Sequence, residues 1–190
     1  MGYTHCWNCA GRNEKCFGDF SQACAKAFNI FEKRGGAPIA FESDEPDRPP
    51  VFSNDHVRFN GVGDDGHETF YIDMYGAPGF CKTGQKPYDT LVVACLCLFE
   101  HFTGARVSSD GCAEDWYDGL AIARKVVPAC GLPKDITGRG MKKRIVIHLE
   151  SEVDDSQLRD AVLDGFASFI EYQTGERISL DEDETFVDSK

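Results

Sequence analysis

The sequence predicts a single α+β domain, a short mixed or antiparallel sheet with about four helices, over residues 1–180 with an acidic tail at 181–190. Three observations carry that prediction. Short segments of period-two apolar alternation stand beside stretches of helical periodicity. The two kinds follow one another in no strict β-α-β order, so a doubly wound parallel sheet is not indicated. The chain has 190 residues, 42% of them hydrophobic, which suits one domain with a substantial core.

Each element follows from local pattern. Tyr3, His5 and Trp7 alternate with polar neighbours and predict a strand with those three side chains on one face. Residues 8–18 are turn-rich. Asp19 can cap a helix to about Arg34, whose stripe is Phe20, Cys24, Ala27, Phe28 and Phe31, with Gly35-Gly36 ending it. Ile39 to Phe41 reads as a short strand, and residues 43–50 as a proline-rich loop. Val57 and Phe59, a turn at 61–66, then Phe70, Ile72 and Met74 make a hairpin. Glu68 stands in phase with that apolar face, an odd place for a carboxylate.

After a loop at 76–86, Pro87 opens a helix over 88–102 that is apolar almost all round, the expected central helix. Residues 106–108 are a short strand, and 113–127 a helix carrying Trp116, Leu120, Ala123 and Val127. Beyond a Gly/Pro loop at 128–141, Ile145, Ile147 and Leu149 predict a strand. Asp155 caps a final helix through Leu158, Val162, Phe166, Phe169 and Ile170.

Composition excludes several functions. The net charge is −12, which argues against a protein that grips nucleic-acid backbones. No apolar run is long enough to span a membrane, and the opening residues lack the pattern of a signal peptide. Nine cysteines, an odd number in a chain of this size, fit a reduced, cytoplasmic compartment.

Three groupings could carry chemistry. Cys6-x2-Cys9 has the spacing of half a zinc site, with Cys16 and His5 as further candidate ligands, although a strand would send His5 and Cys6 to opposite faces. Zinc is the cofactor these cysteines would suggest, and the paired carboxylates of the third grouping below could hold a divalent cation. The second grouping is Lys82-Thr83-Gly84-Gln85-Lys86, which runs into a helix start at Pro87 and is suited to an anion. Tyr88, Asp89, Arg58 and Asn60 complete that set of candidate ligand contacts. Solvated lysines paired with the many carboxylates are the ordinary alternative. The third is His67, Glu68 and Asp110, a histidine and two carboxylates that could act as general acid and base if the hairpin and the helix starts converge. Ordinary turn and helix-start chemistry accounts for the same residues. No nucleophile-elbow, P-loop or dinucleotide motif is present.

The fragments MGYTH with Trp7, RFNG (58–61), HETF (67–70), FCKT (80–83), KPYD (86–89) and SDG (109–111) resemble a group of bacteriophage- and prophage-encoded proteins of unassigned activity. The resemblance covers residues 1–7 and about 57–118. It implies a phage-type protein acting in the bacterial cytoplasm and brings no catalytic residue with it. The sequence thus leads to an accessory protein that binds a host protein or a small anionic, nucleotide-like ligand. A small hydrolase built on His67, Glu68 and Asp110, and a virion component, are the alternatives.

Overall fold

The computed structural model describes residues 3–8, 14–75 and 77–137, apart from the side chains of residues 14, 15 and 137. Cys9, the strand expected at 145–149, the helix expected from Asp155 and the acidic tail lie outside the described residues. The described chain is a mixed α+β unit in which every strand pairing is antiparallel.

Strand β1 (Thr4–Asn8) is the middle of a three-stranded sheet, between β6 (Gly79–Lys82) and β7 (Arg106–Ser109). His5 lies opposite Cys81 on one side and Ser109 on the other. The alternation read from the sequence holds: Tyr3, His5 and Trp7 are buried, whereas Cys6 and Asn8 are exposed. A second sheet forms around β4 (His56–Gly61), which pairs with β2 (Ile39–Ala40), β3 (Val51–Phe52) and β5 (Phe70–Asp73).

Four helices accompany the sheets. Helix α1 (Glu14–Lys33) starts five residues before the expected cap at Asp19, because Phe17 extends the buried stripe by one turn. It ends before Gly35, whose φ of 76° suits a residue without a Cβ. Helix α2 (Asp89–Thr103) is buried without a break from Leu91 to Phe99, as its all-round apolar sequence requires. Helix α3 (Tyr117–Val126) follows a 3-10 turn over Glu114–Trp116, and a short α4 (Lys134–Thr137) closes the described chain. Both α1 and α3 pack on α2, and the aromatic rings of Phe17, Phe20 and Phe99 interlock at the α1–α2 contact. No helix among the described residues is long and apolar enough to cross a membrane.

The sequence concealed β3, α4, which falls within the loop read at 128–141, and strand β6. Residues 76–86 read as a loop because Gly79-Phe80-Cys81-Lys82 is too short for a period to show. Pairing with β1 makes it a strand, and its alternation then appears, with Cys81 buried and Phe80 64% exposed.

The β4 strand ends on a close approach. A Cβ at Gly61 would lie 2.3 Å from the Asp65 carbonyl oxygen, a main-chain atom that cannot swing aside. Asn60 supports this crossing from its own side chain. Its Nδ2 donates to the His67 carbonyl at 3.0 Å and to Thr69 Oγ1 at 3.2 Å, while its Oδ1 accepts from the N–H groups of Gly61 at 2.8 Å and His67 at 3.2 Å. The buried amide has both donors and its acceptor engaged.

Candidate functional site

Three clusters contain several of the residues singled out by the sequence. The first centres on β1. The inward face of the strand carries His5 beneath the start of α2, where its Nε2 bonds the Asp89 Oδ1 at 2.8 Å. The Tyr3 and Trp116 rings stand edge-on to the imidazole, with centroids 5.0 and 5.1 Å away. His5 is fully buried, and its Nδ1, the Thr83 Oγ1 and the Trp116 Nε1 are buried without a hydrogen-bond partner. Burial, and then the charges of Asp89 and Asp115, raise the Tyr3 phenol far above its ordinary range, so it stays neutral.

The second cluster joins β5 to β6. The Glu68 carbonyl accepts from the Tyr88 hydroxyl at 2.6 Å and from the Cys81 thiol at 3.3 Å. Its carboxylate accepts the Lys82 main-chain N–H at 2.7 Å, and its own N–H donates to the Lys82 carbonyl. Burial pushes the Cys81 thiol up to about 12, against the lowering effect of Tyr88, and burial likewise raises Tyr88 far beyond its ordinary range. Neither group is ionised near neutral pH. The role of Glu68 is to extend the ladder of β6, which explains a carboxylate in phase with an apolar face.

The third cluster surrounds Arg58. Its guanidinium pairs with Glu42, which also accepts from the Thr69 hydroxyl, and it stacks on Phe41 with its carbon 4.4 Å from the ring centroid. Burial alone would raise the Glu42 carboxyl, but the hydrogen bonds from Thr69 and Arg58 outweigh it and hold the group below its usual range. A carboxyl depressed in the folded state contributes stability that is full above its unfolded value and is lost as pH falls through the folded one. Acidification below about pH 4.3, the ordinary glutamate value, will therefore remove part of the stability. Urea unfolding across that range will show a shallower pH slope in Glu42→Gln than in the parent; equal slopes would mean that this carboxyl is not a contributor.

These placements answer the sequence expectations one by one. The His67, Glu68 and Asp110 centre does not assemble. Lys82 and Asp110 lie on opposite sides of Thr4, with Asp110 accepting the Thr4 N–H at 3.1 Å and donating back to the Thr4 carbonyl. Glu68 lies beyond Lys82, so three strand spacings, about 14 Å, separate the main chains of the two acidic residues. Each carboxylate is also engaged by a main-chain N–H. His67 is exposed, beside Gly84.

Of the anion candidates, Lys86 donates its ammonium to the Asp64 carbonyl at 2.8 Å. Asp89 already sets a carboxylate in the first turn of α2, where the helix dipole favours negative charge. Arg58 and Asn60 belong to the structural networks above. For zinc, His5 and Cys6 lie on opposite faces of the sheet, Cys16 is on α1, and no group of three or more metal-ligating side chains comes together among the described residues.

The His5–Asp89 pair was not read from the sequence, which placed its members in different sites. The signal was there in part: a histidine in phase with Tyr3 and Trp7 is inside, and a buried imidazole needs a partner. That Asp89 supplies it depends on how α2 docks. A carboxylate holding one imidazole nitrogen is the arrangement of a general base, yet this imidazole is enclosed.

An exposed surface on the segment that carries Trp116 is different in character. Asp110, Glu114, Asp115 and Asp118 are exposed along one stretch, with Tyr117 45% exposed among them. No Lys or Arg stands between Arg106 and Arg124. The Asp115 carboxylate accepts the Cys112 N–H at 2.9 Å, which pins the turn. The Cys112 thiol and main-chain hydrogen bonding keep the Glu114 carboxyl below its usual range, hence charged. No protein-family model, curated protein or solved structure matches the chain.

Proposed function

We propose that this is a phage-type accessory protein that works by binding, and that it takes a basic surface of a host protein on the acidic segment 110–118. The observation that carries the reading is the local build of that segment. Its four carboxylates are displayed without an intervening cation, and it is anchored from beneath by the fully buried Trp116 and by Tyr3, which packs against Gly111. Acidic side chains on a fixed frame attract a basic partner over long range and need little ordering on contact. Tyr117 adds a ring on which a Lys or Arg of the partner can stack.

The alternatives fare less well on the same geometry. A small anion would meet Asp89 at the helix start, and a hydrolase would need Glu68 and Asp110 freed from their main-chain partners. The bacterial cytoplasm remains the proposed setting.

The test uses a Lys/Arg-rich peptide as probe and two doubly neutralised proteins. Glu114→Gln with Asp118→Asn will weaken binding several-fold, and added salt will weaken it further as the screening length shrinks to about 8 Å near 0.15 M. Asp44→Asn with Asp47→Asn, an equal charge change on an exposed loop, will have little effect. Equal losses in the two variants would reduce the interaction to net charge and overturn the assignment to 110–118.

A further inference from the structure

The His5–Asp89 pair leaves a set of hydrogen-bonding atoms whose chemistry is complementary. A carboxylate only accepts, so the Nε2 facing Asp89 carries a proton, and in that tautomer the Nδ1 presents a lone pair. The Trp116 Nε1 is a donor and nothing else, and the Thr83 hydroxyl can do both. All three residues are fully buried and none of these atoms has a partner within the protein.

They are also neighbours. Thr83 continues β6 directly opposite Tyr3, its N–H donating to the Tyr3 carbonyl at 3.0 Å, so by strand alternation it shares the inner face with Tyr3, His5 and Cys81. The Trp116 ring is edge-on to His5, with centroids 5.1 Å apart. Buried polar groups of native proteins are satisfied by protein or by ordered water, and one acceptor, one donor and one hydroxyl match a molecule that donates two bonds and accepts two.

We propose that ordered water occupies this space and bridges His5 Nδ1, Thr83 Oγ1 and Trp116 Nε1, so that the underside of segment 110–118 is an internal solvent site. The water fixes the Nε2-protonated tautomer of His5 from the side opposite Asp89. It also joins β1 and the end of β6 to the 3-10 turn through Trp116. This site stands independently of what the acidic segment binds.

Two measurements on the full chain test it. In the labelled wild-type protein, the Trp116 indole N–H will give a cross-relaxation peak to long-lived water, and His5 will show the Nε2–H nitrogen-shift pattern. An indole N–H without that peak overturns the proposal. The second measurement is the thermal midpoint of Thr83→Val, which exchanges a hydroxyl for a methyl of the same shape. In a hydrated pocket the water loses a partner and the midpoint falls, whereas Thr83→Ser stays near the parent. In a dry pocket Thr83→Val removes an unsatisfied hydroxyl and the midpoint rises. A rise or no change in Thr83→Val counts against the site.

Discussion

Asp89→Ala will lose about 1–4 kcal/mol of folding stability. About 1–3 kcal/mol comes from leaving the buried Nε2 of His5 without its acceptor, and about 0.3–1 kcal/mol from removing a negative charge in the first turn of α2. In a chain of this size each kcal/mol is worth about 2–4 °C in midpoint. Asp89→Asn separates the two contributions. Its amide oxygen still accepts the Nε2 proton, so only the charge effect is lost and the midpoint lies between parent and alanine variant. The measurement is urea unfolding of all three proteins, with the slope checked for constancy so that the midpoints report stability. Parent-like unfolding of Asp89→Ala would show that His5 finds another acceptor and that the pair is not what seats α2 on β1.

The same pair shows how far the sequence could be read. Amphipathic patterning placed α1, α2, α3 and the hairpin, and alternation placed Tyr3, His5 and Trp7 inside, because each rests on residues near one another in the chain. What patterning could not provide was convergence across the fold. Strand β6 exists because β1 is beside it, and four residues hold too little period to announce that. Glu68, correctly seen as an odd carboxylate, turned out to bond the Lys82 main chain rather than a substrate. Asp110 looked like a partner for it, yet the two lie on opposite sides of two strands. Of the acidic stretch 110–118 the sequence reading singled out Asp110 alone; the display of its four carboxylates and its anchoring by Trp116 and Tyr3 became visible only through packing.

Asn60→Asp will be still more damaging, and it separates a structural asparagine from one that contacts a ligand. The exchange changes one atom in shape terms but reverses half the chemistry. The two N–H groups of Gly61 and His67 still find an acceptor in Oδ1. The oxygen that replaces Nδ2 has no proton to give and faces the His67 carbonyl at 3.0 Å, a pair of acceptors in contact. Asn60 is 1% exposed, so the new charge has no water to relieve it, and an uncompensated buried charge costs about 3–5 kcal/mol. The sign of the pH dependence follows. Burial raises the introduced carboxyl above its unfolded value, so the folded variant takes up a proton more readily than the unfolded chain and its deficit shrinks as pH falls. Unfolding the parent and Asn60→Asp side by side from neutral pH to about pH 4, the ordinary aspartate value, will show a gap widest at the neutral end. A ligand-contacting asparagine with free donors would give a folded, parent-like variant at every pH. That result would return Asn60 to the set of binding residues and remove the Gly61–Gly66 crossing as the reason for its burial.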